Sequence, residues 1–196
     1  MSDNESIFNP EFDSTEFEID YNAPEPGQFP PSVEPGTYRL MFKLAAKPFN
    51  YGPIPQLNGS THLKVSLAPE AILDDGTIKR IAFQNVSTFK TEKMPNSSVG
   101  DLLRSLDLVL DKMNGSSIKN ALLGATGNKI FRAVIGWEAY FKDTQTTVST
   151  APNKKRGDTP WPRNAEGNFE STAVNPSTGE KSYGRERIIR YLLPKD

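Results

Sequence analysis

The order of the hydrophobic segments constrains this chain more than any other feature. Three segments with the two-residue alternation of half-buried strands come first. A segment with helical spacing follows. Two further strand-like segments close the chain, separated by about forty residues without hydrophobic periodicity.

The first strand is expected after the turn signal Glu34-Pro35-Gly36. Tyr38, Leu40, Phe42 and Leu44 alternate there with Arg39, Met41 and Lys43. Pro48 to Ser60 reads as a loop because it is rich in Pro, Gly and Asn. Thr61 to Leu67 alternates again, with Leu63, Val65 and Leu67 on one face. After the Asp74-Asp75-Gly76 turn, Ile78 to Val86 gives a third strand, with Ile81 and Phe83 inward and Arg80, Ala82 and Gln84 outward. Ser98 and Asp101 form a capping-box-like start for a helix carrying Leu102, Leu103, Leu106, Leu110 and Met113, which Asn114-Gly115 is expected to end. A shorter helical turn is expected over Ile118 to Leu123. Lys129 to Lys142 and Arg185 to Leu193 are the fourth and fifth strands, and Gly136 allows a bulge in the fourth.

A β-β-β-α-β-β order is that of the OB barrel. The expectation is therefore a mainly β protein, a five-stranded OB-type barrel. One capping helix lies between strands 3 and 4, and a long loop, 143–184, between strands 4 and 5. Residues 1–35 form an acidic, Pro-rich arm, and residues 36–196 the OB-fold domain.

The formal net charge of -1 conceals a split. Residues 1–35 hold nine acidic side chains and no Lys or Arg, with Phe8, Phe12, Phe17, Tyr21 and Phe29 spaced among them. The remainder holds 15 acidic against 23 basic residues, a net +8. A basic body favours polyanions. The arm has two open readings, a solubilising disordered tail or a segment that docks on the body.

Catalysis finds no footing. His62 is the sole histidine and falls on the polar face of a strand, and no cysteine is present, so thiol nucleophiles, thiolate zinc sites and disulfides are excluded. No phosphate-binding glycine loop or metal-ligand spacing occurs. A non-enzyme without catalytic residues, metal or cofactor is expected. The acidic N-terminus lacks the pattern of a signal peptide, and no apolar run reaches membrane-spanning length, so a cytoplasmic protein without membrane contact is expected.

Binding to single-stranded nucleic acid needs cations for phosphates and aromatic rings for bases. The long loop offers both in Lys154, Lys155, Arg156, Trp161 and Arg163, with Tyr183 further on. Trp161, held between two prolines, either stacks on bases or anchors the loop on the barrel. On the strands and their flanks, Arg39, Lys43, Lys64, Arg80, Lys90, Arg132, Arg185 and Arg187 accompany apolar positions, and Tyr140 stands near the mouth of the loop. These fifteen residues are the candidate nucleic-acid contacts.

The pattern resembles the OB-fold single-stranded DNA-binding proteins of tailed phages. Pro35-Gly36-Thr37-Tyr38, the Leu-rich helix, Ala133-Val134-Ile135-Gly136-Trp137-Glu138 and Arg185-Glu186-Arg187-Ile188-Ile189-Arg190-Tyr191 carry the resemblance. It implies sequence-tolerant binding of single-stranded DNA in phage replication and recombination, in the host cell cytoplasm. The acidic arm is then a candidate contact for replication or recombination proteins. Some such proteins carry a zinc ribbon before the last strand. Here Val174 to Glu180 looks like a knuckle turn without cysteines, so the loop must be ordered by other means. A protein-interaction or virion structural module on a similar barrel is the alternative.

Overall fold

The computed structural model describes residues 30–53, 61–89, 97–108, 114–151 and 159–194. The fold is mainly β. In chain order the elements are β1 (Gly36–Pro53), β2 (Thr61–Ile72), β3 (Ile78–Arg80), β4 (Gln84–Ser87), α1 (Ser98–Ser105), α2 (Gly115–Ala125), β5 (Phe131–Phe141), β6 (Thr146–Ser149), β7 (Thr159–Pro160), β8 (Thr172–Val174), β9 (Lys181–Tyr183) and β10 (Arg185–Leu192). β1 pairs with β2 and β5, β2 with β3 and β4, and β5 with β6 and β10, all antiparallel. β6 and β7 are parallel, and β8 with β9 forms a separate ribbon. The sheet is thus mixed, and among the described residues its backbone ladders do not close into a barrel.

The alternation read in the first two strands holds. Leu40, Phe42, Leu63, Val65 and Leu67 are buried, with Tyr38 and Leu44 packed against them. β1 is longer than expected: it continues to Pro53 instead of yielding to a loop at Pro48. A register shift between Leu44 and Phe49 carries it past the bulge, after which Phe49 to Pro53 pair with Val65 to Thr61. Proline and glycine are tolerated there because the bulge and the strand end relax the ladder. Residues 54–60 lie outside the described residues.

The third strand breaks in two, and its second half is inverted relative to the expectation. Arg80 lies opposite Glu70, but Gln84 lies opposite Leu67, so four steps on one strand face three on the other. One extra residue exchanges the two faces. Ile81 is buried as expected, whereas Phe83 is 61 % exposed and Gln84 is buried.

The single helix becomes two. Ser97, one residue earlier than expected, caps α1 by accepting from Gly100 N–H at 3.1 Å. Asp107 adopts a left-handed φ of 56°. Leu108 N–H then reaches Leu103 O and Asp107 N–H reaches Arg104 O, a Schellman ending eight residues before the expected one. Asn114 begins α2 rather than ending α1: its side chain and that of Ser117 form a reciprocal capping box. Leu110 and Met113 lie outside the described residues.

The 143–184 segment is not structureless. β5 spans two cores: Phe131, Ala133 and Ile135 face the main one, and Trp137, Ala139 and Phe141 face a second. Val148, Trp161 and Ala173 of the segment, with Phe169 against them, complete the second core. The turn between β8 and β9 is ordered by Asn175, 1 % exposed, whose Oδ1 accepts from Ser177 N–H at 2.9 Å and Thr178 N–H at 3.4 Å. An Asx turn thus does locally what thiolates and zinc do in a ribbon. Gly184 passes close under Trp161: a Cβ there would lie 2.8 Å from Cη2. Gly184→Ala is expected to destabilise by about 1–3 kcal/mol through overpacking. Denaturant midpoints should show less loss when Trp161→Phe makes room for the added methyl group.

Residues 30–35 belong with the body as packed. Val33 is buried, its carbonyl accepts from Trp137 Nε1–H at 2.8 Å, and Ser32 N–H donates to the Glu186 carboxylate. Residues 1–29 of the arm lie outside the described residues.

Candidate nucleic-acid interface

Residues opposite one another in a ladder share a face. The registers therefore assemble an outward row across five strands: Ile78, Ile72, Arg39, Arg132 and Leu192. Arg80, Glu70 and Met41 form the next row on one side. Thr37, Val134 and Arg190 form it on the other. Lys43 stands opposite Ala68, and Lys64 opposite Asn50 and Ser87. Along β10, Arg187 faces Gly136 and Arg185 faces Glu138, and Tyr140 follows on β5, 57 % exposed. A bulge at Ile189 sets this spacing. Gly136 accommodates it, since a Cβ there would lie 2.3 Å from Ile189 Cδ1.

Eight cations thus share the outward face: Arg39, Lys43, Lys64, Arg80, Arg132, Arg185, Arg187 and Arg190. The two carboxylates on this face of the ladders are neutralised locally. Glu70 pairs with Lys43 at 2.8 Å and Glu138 with Arg187 at 2.5 Å. The other six cations have no ion pair among the described residues. Arg39 and Arg132 lie directly opposite each other, an arrangement that is unfavourable until an anion is shared. Beside them a cleft of about 470 Å³ contains Tyr38, Leu73 and Asp74. Burial, with Glu34 and Asp74 nearby, raises the Tyr38 phenol above its usual pKa. It remains a neutral donor, bonded to Glu34 O at 2.8 Å.

The loop candidates fare differently. Trp161 is 5 % exposed, and its Nε1–H donates to Glu170 O at 2.7 Å. Its ring meets Trp137 edge-on, with centroids 5.8 Å apart. It is the anchor of the segment, and a base has no access to its face. Arg163 stacks over Phe169 at 3.8 Å and donates to Gly167 O at 2.6 Å, so it staples its own turn. Tyr183 is half-buried in the β8–β9 ribbon. Lys90, Lys154, Lys155 and Arg156 lie outside the described residues.

Two exposed aromatics were not expected. Alternation with Ile81 points Phe83 inward, and the Pro, Gly and Asn around Tyr51 read as a loop. Tyr51 is 59 % exposed near the end of β1, with Lys119 Nζ 4.9 Å from its ring centroid. The signal for Tyr51 is the alternation Phe49-Asn50-Tyr51, which the neighbouring prolines and glycine obscure.

Among the described residues no group of three or more His, Asp or Glu could hold a metal ion, and no helix is long and apolar enough to cross a membrane. No protein-family model matches the chain, and no curated protein or solved structure matches it either.

Proposed function

We propose that this chain is a non-enzymatic, sequence-tolerant single-stranded DNA-binding protein of OB type, acting in DNA replication or recombination in the manner of the phage proteins it resembles. The outward basic face carries this reading: eight cations with two carboxylates, both already paired. The pairings support the OB assignment. Taking β3 and β4 as one broken strand, the ladders join strands 1–2, 2–3, 1–4 and 4–5, four of the five junctions that an OB barrel requires. The remaining junction, between strands 3 and 5, is bridged by the Gln84 side chain, which bonds Glu186 O at 2.9 Å and Ile188 N–H at 3.1 Å.

The test is binding of oligo-dT and of duplex DNA of equal length at two salt concentrations. Six unpaired cations give a slope of log K against log salt of about −4 for a single strand. Affinity then falls roughly 300-fold between about 50 and 200 mM salt. Oligo-dT should bind more tightly than duplex, with Tyr140 and Phe83 as the exposed stacking surfaces. Equal affinity for duplex, or a flat salt response, overturns the reading. Removing one contact with Arg132→Gln should reduce the slope by about 0.7 without changing preference among base sequences.

A further inference from the structure

A second cleft, of about 330 Å³, lies on the other side of the Arg39–Arg132 pair. Leu106, Ile130, Leu193 and Pro194 make it largely apolar, and the two arginines contribute to it. Ile130 is 44 % exposed and Leu193 66 %, so the surface is uncovered among the described residues. An apolar hollow with two guanidinium groups that have no ion pair among the described residues suits one chemistry: a large apolar side chain flanked by carboxylates. Asp107, also on the wall, leaves the lining with a net charge of +1.

The chain carries that pattern twice. Glu11-Phe12-Asp13 and Glu16-Phe17-Glu18 each place a phenylalanine between two acids, in a segment of nine carboxylates without a cation. We propose that one of these triplets docks in the cleft of its own chain, with the ring against Ile130 and Leu193 and its carboxylates on Arg39 and Arg132. Reach is sufficient: the thirteen steps from Phe17 to Pro30 can span roughly 40 Å, the width of a domain of this size. Affinity need only be weak, because tethering supplies an effective concentration on the order of millimolar. The inference does not depend on the nucleic-acid reading. If that reading also holds, the triplets and DNA phosphates share two arginines and exclude one another.

The absence of cysteine makes the test clean. Ser14→Cys, between the triplets, gives one site for a nitroxide label in the full chain, and amide signals are recorded without DNA at low salt. Amides of Ile130, Arg132 and Leu193 should lose most of their intensity, and the rest of the body much less. The loss should disappear at high salt, where the Debye length contracts, and in Phe12→Ser/Phe17→Ser. Arg39→Gln/Arg132→Gln should weaken it. No loss at these amides, loss centred elsewhere, or loss that survives the double phenylalanine replacement overturns the proposal. Loss that persists when the label and the isotope are on separate molecules overturns it as well. A failed oligo-dT titration beside the expected pattern would leave this docking standing and remove only the DNA reading.

Discussion

Trp161→Ala should destabilise the protein by about 3–5 kcal/mol, the cost of emptying a buried indole site. Three contacts are lost together. The ring leaves the edge of Trp137, the Glu170 carbonyl loses its donor, and the space under Gly184 opens. The damage should be directional. β5 also faces the main core through Phe131, Ala133 and Ile135, which do not touch the lost ring. The β7 to β9 region should therefore loosen first, visible as faster amide exchange there than in β1 and β2. Trp161→Phe keeps most of the apolar contact and loses the indole donor, so a cost of roughly 1 kcal/mol is expected. Denaturant unfolding followed by Trp137 fluorescence reads both variants. Affinity for oligo-dT should move little when measured where the variant remains folded. Unchanged stability with weakened DNA binding would restore the stacking role that burial argues against.

What the sequence made legible follows physical scale. Strand alternation is a local signal, and it located Leu40, Phe42, Leu63, Val65 and Leu67 correctly as core. It misassigned Phe83 and Gln84 because a single inserted residue reverses a strand's faces, and a bulge has no compositional signature as clear as the alternation it interrupts. The helix boundary failed for a related reason. Asn114-Gly115 resembles a helix end, but Asn caps starts as readily, and the actual end uses Asp107 in a conformation usually left to glycine. The second core was the least visible. Val148, Trp161, Phe169 and Ala173 are too far apart to show a period, and they become a cluster only when laid on the inner face of β5. Of the candidate contacts, the strand cations were placed by alternation and share the outward face. Trp161 and Arg163 stand out by composition alone; Trp161 turns inward, Arg163 lies exposed over Phe169, and both hold their own segment. Composition alone does not separate an aromatic that waits for a ligand from one that packs a loop.

Gln84→Leu should cost about 4 kcal/mol, although leucine is of comparable bulk and is the more hydrophobic residue. Gln84 sits where β4 and β10 approach without a backbone ladder. Its Nε2 donates to Ala82 O and Glu186 O, both at 2.9 Å, and its Oε1 accepts from Ile188 N–H at 3.1 Å. Leucine would leave three backbone groups without partners in a closed site, at about 1–3 kcal/mol each before water enters. For a chain of this length, about 4 kcal/mol lowers the melting temperature by roughly 8–16 °C. Gln84→Glu distinguishes hydrogen bonding from packing. Glutamate preserves shape and the acceptor for Ile188 but loses both donors, and it places a second carboxylate near Glu186, which already accepts from Ala82 N–H at 3.3 Å. Desolvation and like charge would raise the pKa of the new carboxyl group in the folded state above its unfolded value. The variant's deficit relative to the parent should therefore be largest near neutral pH and shrink as pH falls through the carboxylate range, because the folded form then binds the extra proton. A Gln84→Leu protein within about 1 kcal/mol of the parent would mean that the seam is held without this side chain. The closure of strands 3 and 5, and with it the barrel reading, would lose its support.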